Sequence, residues 1–164
     1  MENNDILIRL RYALDIKNTD MVEIFKLGGI EVTKAEVLEM LTKQDDINEN
    51  EEHLKCNNMM LESFLNGFII FKRGKQDPKP GQPNSSEPSL KNTESVNNLL
   101  LKKLKIALTL TSEDMLDILE DAGVRITKGE LSALLRKKGH KNYKECLDRF
   151  ARNFLKGLAI KYRG

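Results

Sequence analysis

Apolar residues recur along this chain at spacings of three and four, which is the period of an amphipathic helix. In the first such stretch, at residues 5–15, one face carries Ile6, Leu7, Leu10 and Leu14. A second stretch covers about residues 19–28. Gly29 follows it and is a residue type that accepts the left-handed conformation of a helix C-cap.

Two more helices are predicted before residue 75. The third begins with a capping box, because the Thr33 side chain can accept a hydrogen bond from the amide of Glu36 while Glu36 reaches back to Thr33. We expect its buried stripe to be Val37, Leu38 and Leu41. The apolar face of a longer fourth helix consists of Met60, Phe64, Leu65 and Phe68.

The same pattern occurs again in the C-terminal half. Asn97 and Asn98 match Asn3 and Asn4, and Gly123 matches Gly29. A second capping box is predicted at Thr127 and Glu130. The apolar face of the matching fourth helix consists of Phe150, Phe154, Leu155 and Leu158. The duplicated unit has about 70 residues, which is longer than a solenoid repeat.

All four prolines lie at residues 75–95, in a segment with no aromatic residue and one large apolar residue, Leu90. Such a segment cannot bury enough surface to offset its ordering entropy. We therefore predict an all-α protein with two pseudo-symmetric units of about four helices each, at residues 1–74 and 96–164, joined by a flexible Pro-rich linker at 75–95. Because a unit of about 70 residues buries only about 60% of its unfolded surface, we expect the two units to dock.

Gly67 and Gly157 lie inside the two fourth helices, where glycine costs about 1 kcal/mol relative to alanine. Close approach of another helix would compensate for this cost. The expected partner is the other fourth helix or the first helix of the same unit, and a local kink is the alternative.

The matched residues, with the runs RKKGHKNYKEC at 136–146 and RNFLKGL at 152–158, resemble the YehS-like family. Its members are bacterial cytoplasmic proteins with two copies of a domain of unknown function. The resemblance covers both units and implies a cytoplasmic location. It provides no catalytic residue, substrate or cofactor that could be transferred to this chain.

The composition, 40% apolar and 32% charged with no Trp, is that of a soluble globular protein. No apolar stretch approaches the roughly 20 residues that span a bilayer, so we expect no membrane contact. A polar N-terminal stretch and two cysteines also favour the reducing cytoplasm.

The net charge of +2 conceals a difference between the units. Residues 1–74 contain 9 basic and 14 acidic side chains, a net charge of −5, and residues 96–164 contain 15 and 8, a net charge of +7. The units are therefore expected either to attract each other, within or between chains, or to bind a polyanion through the second unit.

The basic charge is concentrated at residues 136–144. Cations, a flexible Gly139 and rings able to stack on a base are what nucleic acid binding requires. The candidate binding residues are Arg136, Lys137, Lys138, His140, Lys141, Tyr143 and Lys144. The equivalent segment of the first unit, 44–52, is acidic and cannot serve the same partner. A solvated basic loop, or one that neutralises the acidic unit, is the simpler interpretation.

Other kinds of site have less support. Residues 21–41 have the order of a helix-turn-helix, but the turn is long and Phe25 stands where a small residue would ease packing. A zinc site would need the paired loops of both units to supply His53, Cys56, His140 and Cys146. The two cysteines are instead expected in the core. No common catalytic motif is present, and we expect no enzyme activity, metal or cofactor.

The sequence therefore favours a non-enzymatic helical module that binds a protein partner or a second copy of itself. Exposed positions of the first and fourth helices would form the contact, and the opposite charges of the units would set its orientation. The alternative is a nucleic-acid-binding accessory protein that uses the basic loop of the second unit.

Overall fold

The structure, a computed structural model, describes residues 2–41, 55–74, 96–136 and 141–163. These residues form eight helices and no strand, which confirms the all-α prediction. The helices are α1 (Asn3–Ala13), α2 (Asn18–Leu27), α3 (Lys34–Met40), α4 (Asn58–Arg73), α5 (Val96–Ala107), α6 (Ser112–Asp121), α7 (Lys128–Leu135) and α8 (Asp148–Arg163). The predicted linker at 75–95 and the acidic segment at 44–52 lie outside the described residues.

The third helix of each unit begins at the predicted threonine. Thr33 accepts a hydrogen bond from the Glu36 amide at 3.1 Å, and the Glu36 carboxylate accepts the Thr33 amide at 3.0 Å, so this capping box is confirmed. Thr127 likewise accepts from the Glu130 amide at 3.1 Å. There the reciprocal bond differs, because the Glu130 carboxylate accepts from the Thr127 hydroxyl at 3.3 Å.

Matching turns adopt matching backbone conformations. Gly29 and Gly123, which follow α2 and α6, have φ angles of 96° and 89°, as a left-handed helix C-cap requires. Asp15 and Thr109, which follow α1 and α5, have φ angles of 51° and 53°. The correspondence between the halves therefore extends to individual backbone angles.

The two units share one hydrophobic core, because the fourth helix of each unit packs against the first helix of the other. Helix α4 lies on α5 and α8 lies on α1, whereas the first and fourth helices of the same unit barely touch. Helices α2 and α6 each cover the fourth helix of their own unit, with α3 and α7 packed beside them. The expected docking of the units is confirmed, and it is formed by the contacts of α4 with α5 and of α8 with α1.

Gly67 and Gly157 are points of close helix approach. A Cβ atom at Gly67 would overlap the carbonyl oxygen of Ile24 in α2, and one at Gly157 would overlap that of Ile118 in α6. Close approach is confirmed, but the predicted partner helices were wrong. The partner is the second helix of the same unit, since the first helix is engaged with the other unit.

The predicted stripe of α3 needs one correction. Val37 is fully buried and Leu41 is half-buried, but Leu38 is 47% exposed and Met40 takes its place in the core. Helix α3 has only seven residues. A helix of this length buries few side chains, and Val37 and Met40, three residues apart, lie on one face.

Candidate functional site

The structure describes part of the predicted basic loop. Lys141 and Lys144 are exposed, whereas Arg136 and Tyr143 are half-buried. Outside the described residues lie Lys137, Lys138 and His140. The described part therefore presents cations to solvent, while the ring expected to stack on a base is half-covered.

Three hydrogen bonds hold the second part of this loop against its own unit. The Lys144 amide donates to the carbonyl of Ala133 in α7 at 3.0 Å. The Lys144 carbonyl accepts from the side chain of Asn98 in α5 at 2.9 Å, and the Asn98 oxygen accepts the Cys146 amide at 2.8 Å. The chain at 144–146 is thus fixed between α5 and α7 before it enters α8.

A groove with a volume of about 420 Å³ lies beside this fixed segment. Its walls come from the α6–α7 connection at 123–126, from α7 and from the start of α8. The apolar lining residues are Val124, Ile126, Leu134, Leu147 and Phe150. With 68% of its surface exposed, Leu147 is the most exposed large apolar residue in the described part of the chain. An apolar concave surface with an exposed leucine beside it is typical of a binding site.

Charged side chains surround the apolar lining. Three are cations, Arg125, Lys144 and Arg149, and two are acids, Glu130 and Glu145. Arg125 forms an ion pair with Glu120 at 3.2 Å, but both side chains are more than half exposed and such pairs are weak. This pair therefore does little to neutralise Arg125.

The basic character continues along α8. Arg149, Arg152 and Lys156 are all exposed and follow one another at spacings of three and four, so they share one face of the helix. The groove therefore opens beside a row of cations that extends for two helical turns.

The first unit has different residues at the equivalent positions. Glu31 corresponds to Arg125, and Met59 corresponds to Arg149. Most informative is Asn57, which corresponds to Leu147 and is the N-cap of α4, where its side chain accepts the amide of Met60 at 2.8 Å.

Leu147 occupies the N-cap position of α8. Its carbonyl accepts the first helical hydrogen bond, from the Ala151 amide at 3.1 Å. A leucine side chain has no oxygen that could accept from the first turn, and losing an N-cap costs helix stability of about 1 kcal/mol. The hydrophobic pattern alone does not distinguish Leu147 from other apolar residues, although the alignment of the repeats places it against the capping residue Asn57.

The two cysteines are buried, with 5% of Cys56 and 2% of Cys146 exposed, which confirms their predicted place in the core. Burial raises the pKa of the Cys56 thiol to about 12. Burial, aided by Asp148 and Glu145, does the same for Cys146. Thiols with so little thiolate at neutral pH are poor nucleophiles and poor metal ligands.

His53 and His140, the other two residues of the zinc hypothesis, lie outside the described residues. Among the residues that are described, no group of His, Cys, Asp or Glu side chains could hold a metal ion. The same residues include no helix whose length and apolar content would allow it to cross a membrane.

Exposed apolar residues also occur on the first and fourth helices, where sequence analysis expected a contact surface. They are distributed over four helices and are Tyr12, Met59, Phe71, Ile106, Ile160 and Tyr162. The ring of Tyr12 is partly covered, because the Arg163 guanidinium lies 4.3 Å from its centroid. Single exposed apolar residues of this kind are common on soluble proteins, whereas Leu147 adjoins a groove.

Comparison with known proteins places the chain in a family. Residues 3–74 and 97–164 match the family described as protein of unknown function (DUF1456). The chain belongs to this family. It is also 40% identical over 162 residues to the uncharacterized protein YehS of Escherichia coli (strain K12), covering 98% of this chain and 96% of that protein. The predicted resemblance to the YehS-like family is therefore confirmed, and the match in two segments is compatible with a tandem repeat.

No solved structure matches the chain. The family description and the similar protein assign no activity.

Proposed function

We propose that this protein is a non-enzymatic helical binding module that holds a segment of a partner protein in the groove beside Leu147. The observation that carries the proposal is the exposed leucine at the N-cap of α8, where the first unit has a capping asparagine. An exposed apolar residue at a position that favours a polar capping residue points to a function outside the fold.

The energetics of Leu147 favour a role in binding. Complete burial of a leucine side chain against a partner contributes about 1.5–3 kcal/mol, more than the roughly 1 kcal/mol that the missing cap costs the free protein. An apolar anchor with a polar rim is also how the central residues of protein interfaces are arranged.

Nucleic acid binding is the second candidate, and the exposed cations Lys141, Lys144, Arg149, Arg152 and Lys156 support it. Base stacking, however, calls for an exposed ring, and Tyr143, the described one of the two predicted rings, is half-buried. The centre of the groove is also apolar, with aliphatic residues and Phe150. A protein segment therefore fits the site better than a polynucleotide.

The proposal can be tested with one substitution that has opposite effects on folding and binding. Leu147→Asn restores the capping residue of the first unit, so we expect the free energy of unfolding to rise by about 0.5–1 kcal/mol. The same change removes the apolar anchor and should weaken partner binding about tenfold or more, given the 1.5–3 kcal/mol contributed by a buried leucine.

The partner is obtained by photo-crosslinking in cells that express the full chain with p-benzoylphenylalanine at position 147. The matched control carries the crosslinker at Leu38, a 47% exposed residue of α3 in the other unit. The adduct formed only from position 147 is identified by mass spectrometry, purified and titrated against the wild type, Leu147→Asn and Leu38→Asn. If Leu147→Asn binds as tightly as the wild type, or if it destabilises the fold, the proposal is wrong.

A further inference from the structure

We infer that the groove is specific for an acidic peptide segment that carries a large apolar side chain. This inference rests on the proposed function and adds the chemistry of the partner. It is carried by two properties of the same site, an apolar centre and a surplus of cations around it.

The apolar centre sets the size of the occupant. A volume of about 420 Å³ is near the lower end of the roughly 300–1,000 Å³ that ligand pockets occupy. A site of this size takes a few side chains from one short segment. Because Leu147 and Phe150 line one side and Val124 and Ile126 line another, the segment must insert an apolar side chain between them.

The charged residues around the groove determine which net charge the bound segment should have. Three cations and two acids line the groove, a net charge of +1, and one of the cations, Arg125, also pairs with the exposed Glu120 at 3.2 Å. Lys156 extends the positive side along α8, whereas Arg152 lies close to the carboxylate of Asp148, one helical turn earlier. An acidic segment would be attracted to this surface and oriented by it, whereas a basic segment would be repelled.

The basic character is a property of this unit and not of the repeated domain. The first unit has Glu31 where the groove has Arg125, and Met59 where it has Arg149. We therefore expect the duplicated units to differ in binding, because among the described residues the second unit alone combines these rim cations with an exposed leucine at the start of its fourth helix.

A polynucleotide would use this surface differently. Its affinity would come from phosphate contacts with the cations and would not depend on an aliphatic side chain. Replacement of Leu147 therefore distinguishes the two kinds of partner. It should lower the affinity for a peptide that uses this apolar anchor, and it should leave the phosphate contacts of a polynucleotide in place.

The inference can be tested without knowing the natural partner. A random 12-residue peptide library displayed on phage is selected on the full wild-type chain, after removal of the phage that bind Leu147→Asn. The expected result is enrichment of peptides with a net negative charge and at least one Leu, Ile, Met or Phe. An enriched peptide is then synthesised and titrated by fluorescence polarisation against the wild type and its variants.

Charge reversal at two cations, in the double variant Lys144→Glu with Arg149→Glu, should weaken binding of the enriched peptide at least tenfold. Higher salt should weaken wild-type binding in the same direction, since exposed charges are screened. The matched control is Lys34→Glu, an exposed lysine at the start of α3 in the first unit, which should leave affinity within about twofold.

Other results would contradict either the charge inference, the proposed function or the kind of partner. Enrichment of neutral or basic apolar peptides would contradict the charge inference and leave the proposed function intact. Absence of any Leu147-dependent enrichment would contradict both. A single-stranded oligonucleotide that binds the wild type and Leu147→Asn equally, but not the charge-reversed variant, would identify a nucleic acid surface. Self-association lost in Leu147→Asn would identify a second copy as the occupant.

Discussion

Asn98 in α5 accepts the amide of Cys146 through its side-chain oxygen at 2.8 Å, and Asn4 in α1 accepts the amide of Cys56 at the same distance. The amide group of each asparagine donates to the end of the third helix, to the Leu134 carbonyl at 2.8 Å and the Met40 carbonyl at 3.2 Å. One buried side chain per unit therefore ties the first helix, the third helix and the start of the fourth together.

Removal of Asn98 should be costly, because this side chain is completely buried. In Asn98→Ala the Cys146 amide and the carbonyls of Leu134 and Lys144 lose this partner. Each buried polar group left unpaired costs about 1–3 kcal/mol, so we expect the free energy of unfolding in urea to fall by about 2–4 kcal/mol. Asn3→Ala is the control, since it removes one exposed bond to Asn58 and should cost less than about 1 kcal/mol. Equal losses in the two variants would contradict this assignment.

The helix contact at Gly157 predicts opposite effects for the same substitution at two helical glycines. In Gly157→Ala the new methyl group would overlap the carbonyl of Ile118, so the backbones must separate. We expect a loss of at least about 2 kcal/mol in the free energy of unfolding. In Gly129→Ala the nearest atom to the new methyl is the Thr127 hydroxyl at 3.8 Å. That variant should gain about 0.5–1 kcal/mol from helix propensity. A tolerated Gly157→Ala would mean that α6 and α8 are less closely packed.

Most of the secondary structure could be predicted, because it depends on local chemistry. The spacing of Leu7 and Leu10 defines a helix face, and the caps at Thr33 and Gly29 depend on neighbouring residues. Even so, the capping box at Thr111 was overlooked, in which Asp114 donates its amide at 3.1 Å and its carboxylate accepts at 2.9 Å.

The packing of each fourth helix on the first helix of the other unit could not be predicted in the same way. Phe64 and Phe68 mark the apolar face of α4, but that face has the same pattern whether α1 or α5 covers it. The candidate site was predicted only in part. The cation Lys144 was predicted as a binding residue. Leu147 could not be recognised from the sequence pattern, because its importance depends on the comparison with Asn57 and on its exposure at a helix terminus.

The buried thiols should resist chemical modification in the folded protein. With the pKa of Cys56 and Cys146 raised from 9.0 to about 12, the thiolate fraction at pH 8 falls about a thousandfold. Labelling by iodoacetamide at pH 8 should therefore be about a thousand times slower in the native chain than in guanidinium chloride, where the ordinary pKa returns. Rapid modification of either thiol in the native chain would contradict its burial.

The same shift makes stability depend on pH in the alkaline range. Because the folded pKa lies above the unfolded value, the folded state is favoured fully below about pH 9 and loses this advantage as the pH rises from 9 towards 12. The double variant Cys56→Ala with Cys146→Ala should lose less stability between pH 8 and pH 11 than the wild type. Equal decline in both proteins would show that the thiols do not contribute.

Arg163, near the end of α8, predicts an asymmetry between the two matched helix contacts. Its guanidinium donates to the Tyr12 carbonyl at 2.7 Å, lies over the Tyr12 ring and approaches Asp15 at 3.6 Å. Arg163→Ala should therefore lower the free energy of unfolding by about 1 kcal/mol and increase hydrogen exchange at the end of α1. Arg163→Lys should recover only part of this, since an ammonium group cannot stack as a planar guanidinium does.

Arg73 is the matched control, because it has the equivalent position near the end of α4. At the positions that correspond to Tyr12 and Asp15, the second unit has Ile106 and Thr109, which offer neither an aromatic ring nor a carboxylate. We expect Arg73→Ala to change the free energy of unfolding by less than about 0.5 kcal/mol, the usual range for a surface substitution. If both variants lose the same stability, the contact of Arg163 with Tyr12 adds nothing to what any terminal arginine provides. A larger loss in Arg163→Ala alone would show that the junction of α1 with α8 is held more firmly than that of α5 with α4.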